Sequence, residues 1–159
     1  MRNVVWKGVG FGLTSGVITT LGLIIGLHSG THSKLAVLAG LIVLAIADAM
    51  SDAMGIHVSE EAEMEHSARE LWETTSFTFV SKFVVSFSFT IPLVLLEIST
   101  AIIASVFWGV ILIMFFSFIM AKAQKQNPYR TIVEHILITI VVIILAHYIG
   151  DLVYGVFGT

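Results

Sequence analysis

Apolar positions along the chain gather into five long runs separated by short polar breaks, at about residues 8–27, 34–55, 77–96, 100–121 and 132–153. Each run is close to the ~20 residues that a helix needs to cross ~30 Å of hydrocarbon. The third run, "SFTFVSKFVVSFSFTIP", alternates in places as a strand would. A lone strand leaves its backbone groups unpaired in lipid, so its length and setting predict a helix. Pro92 predicts a kink near the far end of that helix. The pattern as a whole predicts an all-α integral membrane protein, with residues 1–159 forming one membrane domain of five transmembrane helices.

Composition strengthens this picture. Charged residues make up 12% of the 159 and apolar ones 57%, with a mean hydropathy of +0.97. A soluble domain carries about twice that charged fraction. The absence of cysteine excludes disulfide scaffolds, thiolate metal sites and cysteine catalysis. The first apolar run is too long for a cleavable signal peptide, and no small-residue cleavage pattern follows it.

The basic residues predict orientation. Arg2 and Lys7 precede span one, Arg69 and Lys82 lie around the link from span two to three, and Lys122, Lys125 and Arg130 follow span four; Lys34 alone falls on the other side. The N-terminus is therefore expected in the cytoplasm and the C-terminus outside, in a multi-pass protein of the cytoplasmic membrane. Residues 57–76 form the one sizeable polar link, an acidic cytoplasmic continuation of span two with no room for a catalytic domain. In span one, Gly8, Gly12 and Gly16 follow at four-residue spacing, then Gly22 and Gly26. Small residues so placed let helices approach closely, either within the protomer or across a homodimer seam through span one.

The stretch "DAMSDAMGIHVSEEAEMEH", residues 48–66, carries the candidate chemistry. At 1.5 Å per residue, Asp48 lies roughly 9 Å inside the cytoplasmic boundary and Asp52 close to it. Ser15 comes out at roughly 11 Å and Lys82 at roughly 8 Å from the same boundary, so one inner layer gathers groups from three helices. An acid inside the membrane is a functional candidate by default. Asp48 and Asp52, four residues apart, share a face and repel one another unless a metal ion, a proton or Lys82 resolves the conflict.

Continuing the helix, Ser59, Glu60 and Glu63 track the aspartate face, and Met50, Met54, His57 and Glu61 a neighbouring one. Carboxylate and imidazole suit Fe2+, Mn2+ or Zn2+, while thioether moves preference away from Mg2+ and Ca2+. Glu63 and His66 have the i,i+3 spacing of a di-iron half-site, which a solvated helix surface also produces. The acids of residues 60–73 would raise the local cation concentration at a pore mouth. Glu134 sits nearer the inner surface, and His147 and Asp151 form an i,i+4 pair toward the outer one, suited to metal, proton or a simple hydrogen bond.

These residues resemble the vacuolar iron transporter family over nearly the whole chain. "TSGVITTLGLIIGL" looks like that family's "NDGLVST…G" segment, and "ADAMSDAMGIHVSEE" resembles its "SMAxGEYVS" signature at Ser51, Ala53, Gly55, Val58 and Ser59. "SFSFTIPLVL" and the closing "NPYRTIVEHILITIVVIILAHYIGDLV" are similar to its Ser-Phe…Pro pattern and its terminal helix. The resemblance implies a five-helix protomer, a homodimer with a pore near span one, and export of Fe2+ or Mn2+ from the cytosol in exchange for protons. It also implies that the link after span two collects metal. This chain departs from the family where the span-one aspartate falls on Ser15, the signature methionine on Asp52, and the following Glu-Tyr on Ile56 and His57. Its link is also far shorter. An acid from span two in the volume next to Ser15 would restore the missing carboxylate.

The expected function is thus a divalent-metal transporter working by proton antiport, with metal and protons as its small partners, the lipid bilayer around it, no permanently bound cofactor and no nucleic acid. The expected metal residues are Asp48, Asp52, Met54, His57, Glu60, Glu63 and His66; Ser15, Met50, Lys82, Glu134, His147 and Asp151 line the pathway. A passive divalent-cation channel or a membrane metal sensor would use the same residues, and an Asp–Lys pair could also serve structure alone. An enzyme is not expected, since neither H-E-x-x-H nor Gly-x-Ser-x-Gly occurs.

Overall fold

The computed structural model describes residues 2–63 and 67–158, with side chains from Val5 onward. Six helices follow in order: α1 (Arg2–Thr31), α2 (Lys34–Glu63), α3 (Ala68–Ser88), α4 (Thr90–Leu95), α5 (Ile98–Ala123) and α6 (Pro128–Phe157). Among the described residues there is no strand. Taking α3 and α4 as one broken span, five helical stretches are long and apolar enough to cross a membrane.

Local chemistry sets the ends. Ser67 and Glu70 form a reciprocal capping box at the start of α3, and the Asn127 side chain accepts from the Tyr129 amide ahead of Pro128 at the start of α6. His32 ends α1 with φ at 50°, which lets the chain reverse within two residues. The expected kink near Pro92 is a break at Phe89. Pro92 has no amide hydrogen for the carbonyl one turn back, and the Phe89 amide closes a tighter turn onto Ser86 O instead.

The expected link 57–76 is mostly helix: α2 continues to Glu63 and α3 begins at Ala68. Two local features account for this. A polar segment beyond the apolar run prolongs a helix at little cost, and the capping box nucleates the next one.

Helix α1 is the axis of the bundle, touching α2, α3, α5 and α6. Val17, Leu21 and Ile24 of α1 meet Leu41 of α2, Phe89 between α3 and α4, and Ile113 of α5 in the core. Polarity elsewhere is inverted relative to a soluble bundle. On α3, Thr74, Thr75, Thr78, Lys82 and Ser86 are buried, whereas Phe77, Val80, Val84 and Phe87 face outward. Those inward positions recur at helical spacing, so the strand-like alternation is one polar helix face seen in one dimension. An apolar exterior over a polar seam is the arrangement that a lipid surround favours.

Glycines set the helix spacing. A side chain on Gly8 would meet Thr74 O at 2.6 Å, one on Gly12 would meet Thr78 O at 2.6 Å, and Gly16 lies against Lys82 and Ser86. This stripe is therefore occupied by α3 within the protomer and is not free to form a seam between copies. Gly22, Gly26 and Gly30 lie instead against Val142, Ala146 and Gly150 of α6.

The tightest of these crossings yields a test. A Cβ on Gly150 would stand 2.5 Å from Gly26 O and 2.7 Å from Ser29 Cβ, while one on Gly55 would meet nothing within 4 Å. Gly150→Ala is expected to destabilise the protein by about 1–3 kcal/mol through overpacking against backbone. Gly55→Ala should be neutral or stabilising by up to about 1 kcal/mol, since alanine is the better helix former. Thermal unfolding in detergent micelles compares the two.

Candidate functional site

The inner layer expected from depth alone is assembled around one lysine. Lys82 is fully buried, with 1% of its side chain exposed. Its Nζ lies 2.6 Å from Asp48 Oδ2, outside hydrogen-bonding angles, and donates to Asp52 Oδ2 at 2.5 Å and to Ser15 Oγ at 3.0 Å. Ser15 Oγ in turn donates to Asp52 Oδ2 at 2.7 Å. Three helices meet here: α1 brings Ser15, α2 both aspartates, and α3 the lysine.

Each contribution has a local cause. The four-residue spacing of Asp48 and Asp52 stacks them on one face of α2. Gly12 and Gly16 let α1 lie so close to α3 that the lysine stem crosses the seam beside Gly16. With all three groups ionised the cluster carries a net charge of −1. Burying an ammonium costs several kcal/mol, which good geometry with both acids offsets. The aspartates keep open sides, with 27% and 22% of their side chains exposed, so a cation can approach them without first opening the α2–α3 contact.

The other expected residues separate into distinct places. Glu60, buried, and Glu63, half-exposed, pair with Lys7 of α1 at 2.8 and 3.5 Å. They join a second lysine instead of extending the aspartate cluster. His57, on the neighbouring face, turns to α3: its Nδ1 is 2.8 Å from Thr75 Oγ1, and its ring stands 4.7 Å from that of Trp72. Met50 and Met54 line a cavity between α2 and α3. The single acidic path imagined along α2 is thus divided, because successive helix faces meet different neighbours.

His66 lies outside the described residues. Glu134 pairs with Arg130 at 2.7 Å on α6, in a cleft that also holds Lys7, Thr14 and His135, apart from the lysine cluster. At the opposite end of the bundle, His147 has Nδ1 2.6 Å from Ser29 Oγ and Nε2 3.5 Å from Asp151 Oδ2, with His28 and His32 nearby on α1. Among the described residues, no group of three or more histidine, aspartate or glutamate side chains stands ready to hold a metal ion. Two carboxylates and the Ser15 hydroxyl are what the Lys82 site offers a cation.

Sequence reasoning missed the Lys7 clamp and the Thr75–His57 contact. The first had a signal: a lysine just before span one and acids just after span two must meet if the two helices are antiparallel neighbours. The second had none, since only the rotation of α3 decides which threonine faces α2.

No protein-family model, curated protein or solved structure matches the chain. The family resemblance therefore stands on the quoted residues, and the site is read from its own chemistry.

That chemistry makes the lysine the weak point. Lys82→Met leaves two adjacent carboxylates without their counter-charge and is expected to lower stability by about 3–5 kcal/mol. Adding Asp48→Asn and Asp52→Asn to the same chain should recover most of that loss. Unfolding of the two variants in detergent checks it: equal stability of Lys82→Met and the native chain would show that the three groups are not coupled.

Proposed function

We propose that this chain is a multi-pass transporter of the cytoplasmic membrane that exports a divalent metal ion, Fe2+ or Mn2+, from the cytosol in exchange for protons. The observation that carries it is the convergence of two half-open aspartates on one buried lysine, at a level where all three helices present polar groups. A structural pair needs one acid for one base; here a second carboxylate is held beside the first.

The chemistry of exchange follows from Coulomb's law. A divalent ion at Asp48 and Asp52 and the Lys82 ammonium repel one another at these distances, so the ion is accepted only as the ammonium withdraws from the carboxylates. With the metal gone, the carboxylates are re-neutralised by Lys82 and by a shared proton. Metal and proton then occupy the same acids in turn, which is the requirement for antiport. Ser15 replaces the lost carboxylate of span one as a neutral ligand beside Asp52. Glu60 and Glu63, held by Lys7 of α1, stand about two to three turns beyond Asp52 toward the cytoplasmic end of α2, where acidic oxygens would draw cations toward the site.

The open sides of Asp48 and Asp52 also support a homodimer. Carboxylate oxygens are costly against lipid, and a second copy enclosing water over this face would remove that cost. Such a dimer would bring together the open aspartate edge of α1 and α2, since the glycine stripe of α1 is already filled. One observation favours a second reading: Lys82 is already hydrogen-bonded to Asp52 and Ser15 and ion-paired with Asp48, as a purely structural clamp would be. A passive channel or a metal sensor would share the site but need no proton.

Flux of Mn2+ into proteoliposomes separates these readings. The native chain should move Mn2+ only with a proton gradient, and Asp48→Asn with Asp52→Asn should reduce the rate by at least about 100-fold, a loss of about 2.7 kcal/mol in barrier terms. Flux that ignores the gradient would establish a channel. No flux of Mn2+ or Fe2+ under any gradient would leave the clamp as the role of the cluster.

A further inference from the structure

On a different face of α2, a cavity of about 300 Å3 opens between α2 and α3, lined by Met50, Met54, Trp72, Thr75 and Phe79. No carboxylate lines it. Met50 and Met54 lie one turn apart, and His57 follows three residues further along the same face. His57 is not itself a lining residue, but its ring stands 4.7 Å from that of Trp72, which is one.

A threonine holds one edge of the histidine ring. Thr75 Oγ1 lies 2.7 Å from Leu71 O and 2.8 Å from His57 Nδ1, which engages that ring nitrogen and leaves Nε2 as the candidate ligand atom. An imidazole held by one nitrogen with the other left as a ligand is the arrangement found around metal-binding histidines.

We infer that this cavity is a binding site for a soft monovalent metal ion, Cu+ or Ag+, held by Met54 Sδ and His57 Nε2, with Met50 Sδ as the flexible third ligand and the Trp72 indole over the ion. The donor set decides the class. Thioether and imidazole favour Cu+ over Mg2+, Ca2+ or Mn2+, which need oxygen ligands. The indole face attracts a cation, most strongly where water is partly excluded. Methionine's three rotatable bonds let both sulfurs reach a common point from successive turns. The acids of α2 do not compete for this place: Asp48 and Asp52 turn to Lys82, and Glu60 and Glu63 to Lys7. Among the described residues, Glu61, exposed one turn beyond His57, is the one carboxylate further along the face. The inference is independent of the transport reading, because the two sites share no ligand.

Titration of the full chain in detergent micelles with silver nitrate, in chloride-free buffer, tests it; Ag+ stands in for Cu+ without redox chemistry. The expected result is saturable Ag+ binding by calorimetry that quenches tryptophan emission and is not displaced by Mn2+. Met50→Leu with Met54→Leu conserves volume on an exposed face and should weaken binding by about 10–100-fold. Trp72→Phe should keep the calorimetric binding and lose the quenching. The inference is overturned if Ag+ does not bind, if binding survives the double methionine substitution, if Trp72→Phe is quenched as the native chain is, or if Mn2+ displaces the silver.

Discussion

One ammonium group, removed from water and held between two carboxylates, is the constraint on which the rest of the bundle depends. Lys82 is among the largest fully buried side chains of the protein, and its charge has no solvent to fall back on. Both aspartates of α2 and the hydroxyl of Ser15 must therefore reach one point on α3. That requirement fixes the rotation of α2, the depth of α3 and the distance of α1. The glycines of α1 are the means: without Gly12 and Gly16 the helix axes would stand too far apart for Ser15 to take part.

A second lysine repeats the device at one end of the bundle. Lys7 of α1 holds Glu60 and Glu63 of α2, so α2 is clamped to its neighbours at two levels by base and acid. Between them the helix turns a different face toward α3, where His57, Trp72 and the two methionines lie. Hard oxygen donors and soft sulfur and nitrogen donors thus occupy separate faces of one helix. On the two proposals made above, such separation would let two kinds of cation be bound independently, since the donor sets share no residue.

Much of this was legible in the sequence. Length and hydropathy gave the five spans, and helix rise alone put Ser15, Asp48 and Lys82 at similar depth with Asp52 one turn nearer the boundary; the structure joins all four. The four-residue spacing of Gly8, Gly12 and Gly16 announced a close helix contact. Depth says nothing about azimuth, however, and azimuth separated the rest. Glu60 and Glu63 share a face with the aspartates on a helical wheel, yet Lys7 meets them from α1. His57 was assigned to a metal path by its distance along α2, but a threonine on α3 holds its ring. Glu134, His147 and Asp151 lie on α6, which packs against α1 on the side where Gly22, Gly26 and Gly30 admit it, away from Lys82. The link 57–76 reads as a continuation of span two, and the capping box that starts a new helix at Ala68 is the signal that reading left unused.

The central claim is that Asp48 and Asp52 accept either the Lys82 ammonium or a divalent metal ion. The most direct measurement is a crystal structure grown with Mn2+, with anomalous data collected at the manganese edge. The account predicts an anomalous peak between the two aspartate side chains, with Lys82 Nζ drawn away from both. Manganese bound only elsewhere, with the Lys82–Asp48–Asp52 cluster unchanged, would contradict it.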